Sequence, residues 1–167
     1  MKGLFKIVLI IIFLTGANFG FAQKDSTQPV YLRFPTIPQF TIFNVKDSSL
    51  ITRDNLKKKR PTVLIIFSPD CEHCQKETKD LEANITKFKN AQILMVTYLP
   101  FEEMRKFYKE YNIANYPMIT MGRDAKFFFP VFYKLKSLPA IFVYDKKGNL
   151  KKSFEGSVSV LKVAAEL

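Results

Sequence analysis

Cys71 and Cys74 are the only cysteines in the 167-residue chain. Two thiols separated by Glu72 and His73 can make and break one disulfide. The pair follows the apolar run at residues 63–67 and precedes a stretch of helical composition. A sulfur at a helix start faces unpaired N–H groups and the positive end of the macrodipole, which favour a thiolate. The second sulfur, one turn on, can attack a mixed disulfide formed by the first and release the substrate. Other uses of the pair are two inert buried thiols, a structural disulfide, or half of a zinc site. Structural zinc wants four Cys or His ligands, and beside the two cysteines stands only His73, the single histidine. A disulfide closing so short a ring constrains little of the unfolded chain. No metal and no cofactor is expected.

The N-terminus bears on the compartment. Lys2 and Lys6 precede or open an unbroken apolar run at residues 7–14, and Gly20-Phe21-Ala22 supplies small residues at the positions a signal peptidase inspects. This is a secretory signal pattern, residues 1–22, with cleavage after Ala22. The alternative is an uncleaved anchor, for which the stretch is short and carries Thr15, Asn18 and two glycines. No cysteine follows the run, which excludes a lipid anchor there. Export places the chain in a periplasm or outside the cell envelope, where a C-x-x-C is driven to the disulfide unless a partner keeps it reduced.

Cleavage would leave 145 residues and lower the net charge from +11 to +9, because only Lys2 and Lys6 are lost. That length suits one domain with a real core. The densest positive cluster is Lys57-Lys58-Lys59-Arg60. It reads as a solvated turn before a buried strand, with weak peripheral contact to an anionic membrane as the other use. Nucleic acid is not an expected partner of an exported chain.

The elements that must position the cysteines follow in order. Residues 23–35 read as a leader, with Pro35 and Pro38 bracketing an extended segment. Residues 40–45 read as a strand with a turn at 46–49, and Thr52 caps a short helical turn through Leu56. Residues 62–67, unbroken and β-branched, predict a central strand buried on both faces. Residues 72–88 predict one helix, 91–98 a second buried strand, and Pro100 opens a helix through Tyr111. Residues 118–121 suggest a short strand; Asp124 caps a helix through the Phe127–Phe129 triplet, with Pro130 kinking or limiting it. Residues 140–144 predict a third buried strand, Asp145-Lys146-Lys147-Gly148-Asn149 a hairpin turn, 150–154 its antiparallel partner, and 157–167 a helix. The class is α/β, a mixed sheet flanked by helices on both faces.

Two blocks carry a resemblance: Phe67-Ser68-Pro69-Asp70-Cys71-Glu72-His73-Cys74-Gln75-Lys76-Glu77, and Leu138-Pro139-Ala140 through Asp145-Lys146-Lys147-Gly148-Asn149. Over residues 36–167 the chain resembles the thioredoxin superfamily, specifically the exported TlpA/ResA-like thiol–disulfide oxidoreductases related to the redoxin (AhpC/TSA-like) proteins. The resemblance implies a thioredoxin fold with an inserted α/β segment near residues 112–136, and a cis Pro139 beside the cysteines. It implies that Cys71, Cys74, Glu77 and Pro139 are catalytic, and that Glu72, His73 and Leu138 meet the substrate. A thioredoxin buries an acid six residues before its first cysteine, where this chain has Ile65; TlpA/ResA-like members instead place a glutamate three residues after the second, and Glu77 stands there. Leu138 replaces the hydroxyl residue the family often has before the proline. The aromatic cluster at 127–133 reads as a core-filling helix or as an apolar lip for an unfolded substrate.

The resemblance further implies a monomeric reductant of protein disulfides, recharged by a membrane thiol-transfer reductase. Rival readings are a DsbA-like thiol oxidant, which also places His before the second cysteine, and a module on the same fold that binds Cu(I) or unfolded protein. A peroxiredoxin wants a Thr in a P-x-x-x-T-x-x-C arrangement, and residues 64–71 lack it.

Overall fold

The computed structural model describes residues 28–167. The signal pattern at 1–22, its cleavage point and the start of the leader lie outside the described residues. Among the described residues no helix is long and apolar enough to cross a membrane.

Seven strands form one mixed sheet in the order β2-β1-β5-β4-β3-β6-β7. They are β1 (Thr41–Asn44), β2 (Leu50–Thr52), β3 (Thr62–Ile66), β4 (Gln92–Thr97), β5 (Ile119–Arg123), β6 (Ala140–Tyr144) and β7 (Leu150–Glu155). The helices are α1 (Val30–Arg33), α2 (Glu72–Ala83), α3 (Phe101–Glu110), α4 (Phe128–Tyr133) and α5 (Val160–Ala164). β3, β4 and β5 run parallel, joined by crossovers through α2 and α3, whereas β6 and β7 are antiparallel additions. Every residue of β3, β4 and β6 is buried, as expected of strands covered on both faces.

Alternation along these strands divides the core. Val63, Ile65, Ile93, Met95, Ile141 and Val143 point to one face, where Leu81, Met104, Phe107 and Val163 from α2, α3 and α5 cover them. Leu64, Ile66, Leu94, Val96 and Phe142 point to the other, under Phe129 and Tyr133 of α4. The aromatic cluster is therefore mainly core: Phe129 and Tyr133 are buried, and the Tyr133 and Tyr144 hydroxyls share a 2.6 Å hydrogen bond. Only Phe127 and Val131 of that segment stand well out in water. Gly122 in β5 is required by packing, since a Cβ there would lie 2.6 Å from Ile42 Cδ1 and 3.0 Å from the Phe43 carbonyl oxygen.

Several expectations change. The helix read over 72–88 ends at Ala83, where Asn84 leaves helical geometry and its side-chain N–H groups donate back to Asp80; a 3-10 turn follows at Ile85–Phe88. Asp124 does cap a helix, but one that starts only at Phe128, its carboxylate accepting from Phe129 N–H at 2.8 Å. Pro130 neither kinks nor ends α4; it is the third residue, where no N–H is needed by the helix. The last helix is five residues, capped by Ser159 rather than spanning 157–167. β2 is an addition that sequence reading did not foresee, and α1 falls within the leader, with Tyr31 packed on Tyr133 and Phe142.

Candidate active site

β3 runs into a tight turn at residues 67–70 that delivers Cys71 to the start of α2. The turn is fixed locally: Cys71 N–H donates to the Ser68 carbonyl at 3.1 Å, and the Gln75 side chain reaches back to the Pro69 carbonyl at 2.8 Å. Ser68 Oγ donates to the Asp70 carboxylate. Cys71 is the N-cap of α2, and its sulfur accepts from the Cys74 N–H at 3.3 Å. That geometry aims an orphan helix donor at the atom that would carry negative charge.

The two sulfurs differ sharply in environment. Both thiols are free; Cys71 is half-buried and Cys74 is 1% exposed. Burial, then the hydrogen bond with Cys71, pushes the Cys74 thiol well above its ordinary range. Cys71 is thus the accessible sulfur and Cys74 the one that needs help to ionise.

Pro139 immediately precedes β6 at the same end of the sheet. The Leu138–Pro139 bond is cis, and the Leu138 carbonyl oxygen lies 4.0 Å from the Cys71 sulfur. Leu138, Pro139, Cys71 and Cys74 therefore meet at one point, although 67 residues separate Cys71 from Leu138.

Glu77 stands one turn beyond Cys74 on the buried side of α2. One carboxylate oxygen, Oε2, accepts from Val158 N–H at 3.1 Å; the other, Oε1, is buried with no hydrogen-bond partner from the protein. Burial raises the Glu77 carboxyl from 4.5 to about 7, against the lowering effect of the Val158 bond. Glu77 lines a narrow cavity of about 10 Å³ with Cys74, Ile65 and Pro139, about the least space that admits one water. Ile65, at the position where a thioredoxin carries its acid, thus borders the cavity that Glu77 enters from the helix side.

Glu77 also lines an outer groove of about 580 Å³ with His73, Lys76 and Asp80, so it stands between buried thiol and solvent. His73 is exposed on the first turn of α2 and faces that groove; Glu72 is exposed on the same turn. Asp80 was not foreseen. Its carboxylate accepts from Val160 N–H at 3.2 Å, so Glu77 and Asp80 together hold the loop before α5. Their i, i+3 spacing is visible in sequence, but their loop partners are about eighty residues away. Among the described residues no group of three or more His, Cys, Asp or Glu side chains is placed to hold a metal ion.

Residues 35–153 match the AhpC/TSA family. The chain belongs to that family. Its fold is that of thioredoxin-like thiol–disulfide oxidoreductases. A secreted Mycobacterium tuberculosis disulfide oxidoreductase homologous to Escherichia coli DsbE superposes with a TM-score of 0.65 at 19% identity, covering 77% of this chain and 93% of that one. StoA from Bacillus subtilis gives 0.58 at 18% identity over 79% of this chain and 98% of that one. The peroxidoxin BcpB from Mycobacterium tuberculosis gives 0.66 at 16% identity over 78% and 92%. No curated protein matches the chain in sequence.

Both exchange and peroxidase relatives share the architecture, so the residues of the site must discriminate. Residues 64–71 lack the threonine of a peroxidase motif, but Ser68 puts a hydroxyl at that position, which the sequence reading passed over. It is committed to Asp70, and Leu64 stands where the motif has its proline.

Proposed function

We propose that this AhpC/TSA-family chain is an exported thiol–disulfide oxidoreductase that reduces protein disulfides through Cys71 and Cys74. The observation that carries the reading is Glu77, buried with one oxygen unpartnered on the cavity it shares with Cys74. Burial raises its carboxyl to about 7, and titratable groups shifted in this way beside a reactive side chain cluster at functional sites.

In the proposed cycle the Cys71 thiolate attacks a substrate disulfide. The substrate S–S bond breaks, one substrate thiolate leaves and is protonated, and Cys71 holds the other half as a mixed disulfide. Glu77 then accepts the proton of the Cys74 thiol, directly or through one water in the shared cavity. The Cys74 thiolate attacks the Cys71 sulfur, the second substrate thiolate leaves, and the Cys71–Cys74 disulfide remains. Two electrons have passed to the substrate. A membrane thiol-transfer reductase would return them, and the exposed Glu72 and His73 with Leu138 would frame the docked substrate chain. A carboxyl titrating near pH 7 suits the relay, because it is part ionised where it must take a proton.

Reduction potential and turnover test the proposal. The expected results are insulin reduction and a Cys71–Cys74 potential near ~−270 mV, as for thioredoxin. A potential near ~−120 mV would make the protein a thiol oxidant. Peroxide turnover that survives Cys74→Ser and is lost in Ser68→Ala, without insulin reduction, would move it to the peroxidases.

A further inference from the structure

At the amino end of β3, away from the cysteines, lies a groove of about 700 Å³. Lys57, Lys58 and Lys59 enter it from the turn before β3, and Lys146 and Lys147 from the turn between β6 and β7. Among the described residues none of these five ammonium groups is held in an ion pair or hydrogen bond. Two acids, Asp54 and Asp145, also line the groove, but with Arg53 and Arg60 the cationic side chains outnumber them and the groove stays positive. Asp145 is held in its own turn by the backbone N–H groups of Lys147 and Asn149 and by the Asn149 side chain.

The lysine turn is held in shape from beneath. Gln92, 8% exposed, accepts from the Lys57 N–H at 2.8 Å and donates to the Lys57 carbonyl at 3.0 Å and to Thr62 Oγ1 at 2.9 Å. Lys59 takes a left-handed backbone with φ of 59°, uncommon for a residue with a side chain. A merely solvated charge run needs neither a buried clamp nor a strained lysine. The two turns come from distant parts of the chain, so the concentration of charge is a product of the fold.

The composition of the groove selects its ligand. Among its lining residues there is no aromatic side chain. Its two arginines are engaged within the domain, Arg60 donating to the Lys89 and Asn90 carbonyls and Arg53 to the Ile37 carbonyl. Protein interfaces deplete lysine and anchor on aromatics and free arginine, and single-stranded nucleic acid is held by stacking. Clustered lysines, compact charges with rotatable donors, suit phosphates presented in an array.

We propose that this groove binds the phosphate headgroups of an anionic lipid bilayer and seats the domain on it. Thr62, the first residue of β3, lines the groove, while the loop after Ile66 leads to Cys71. The five residues of β3 span ~17 Å, so a seated domain turns its cysteines away from the lipid toward water-borne disulfides. Binding through charge alone is reversible, which leaves the domain free to lift off and meet a membrane-held reductant.

The test is sedimentation of the full chain with vesicles of phosphatidylcholine alone and with vesicles containing phosphatidylglycerol. Lysine acetylation read by mass spectrometry is the second readout, because it reports the groove even if another segment also binds lipid. The expected result is binding that is stronger to anionic vesicles and weakened by salt. Each Lys→Gln change in the groove should lower it about fivefold. Protection from acetylation at Lys57–Lys59, Lys146 and Lys147 should appear on anionic vesicles only, and Lys→Arg changes should preserve binding. Insulin reduction and the melting temperature should not move in the Lys→Gln variants, so this test can fail while the redox reading stands. Equal binding to both vesicle types with no groove protection would overturn the proposal. So would binding of inorganic phosphate, polyglutamate or duplex DNA without binding of anionic vesicles.

Discussion

At the carboxyl end of β3 a carboxylate, Glu77, is buried with one oxygen lacking a partner. At the amino end a buried amide, Gln92, satisfies three polar groups at once, while the charges around it stand in water. One end leaves a buried oxygen without a protein partner; the other completes its interior and displays charge outside. The contrast separates two ways of spending stability. An unsatisfied buried acid raises its own affinity for a proton and can move one. A satisfied buried amide only fixes the shape of what lies above it.

Four changes would break or sharpen this contrast. The largest effect belongs to the accessible sulfur. Cys71→Ala should lower insulin reduction by at least about a thousandfold, since the covalent route is gone. Residual activity at wild-type level in a turbidity assay would remove the dithiol from the account.

Glu77→Gln should slow resolution of the mixed disulfide by about a hundredfold. It should also abolish an inflection near pH 7 in the single-turnover rate, because the group raised to about 7 is no longer there. The same variant should be more stable at alkaline pH. A carboxyl whose folded value lies above its unfolded value holds its full stability below about pH 4.5, where both states are protonated. It loses stability as pH rises toward and through about 7, where only the unfolded chain ionises easily. Glu77→Gln should therefore gain about 2–3 kcal/mol over wild type above pH 7 and little below pH 5, measured by urea unfolding. A rate unchanged at every pH would leave Glu77 only the loop contact to Val158.

Gln92→Ala tests the other end. It strands the Lys57 backbone groups and should cost about 1–3 kcal/mol in denaturant unfolding. Insulin reduction should be unchanged, because the site lies beyond the length of β3. Lost activity in a folded variant would show that the two ends are coupled.

His73→Ala is the smallest effect. His73 is exposed beside the dithiol, so its loss should change the potential of the disulfide by no more than about 30 mV. An identical potential in wild type and variant would make His73 a bystander in the turn.

The sequence carried the dithiol end of β3 well, because strong local signals coincide there. An unbroken apolar run, a C-x-x-C and a helical stretch predict a strand, a turn and a capped helix, and the structure has all three. The hairpin at 145–149 was equally plain, with Gly148 at the positive φ that its turn requires. What stayed hidden depends on contacts across long stretches of chain. The three residues of β2 carry too little pattern to declare a strand without β1 beside them. Asp124 was visible as a cap, but not that it reaches five residues ahead to Phe129. The spacing of Cys74 and Glu77 was legible, whereas the burial that raises the Glu77 carboxyl depends on neighbours the fold brings in, among them Ile65, Pro139 and Val160. The lysine run was legible as charge, but its clamp is Gln92, 35 residues on from Lys57.

The central claim is that an exposed Cys71 attacks and a buried Cys74, relieved of its proton by Glu77, resolves. Mixed-disulfide trapping tests it most directly. Cys74→Ser, Cys71→Ser and Cys74→Ser with Glu77→Gln are each reduced, mixed with a disulfide-bonded protein such as insulin, quenched with acid and resolved without reductant. A stable mixed disulfide through Cys71 should form in Cys74→Ser, as fast when Glu77 is also changed, and essentially none in Cys71→Ser. Equal trapping through Cys74, or trapping through Cys71 that slows when Glu77 is replaced, would contradict the assignment of roles.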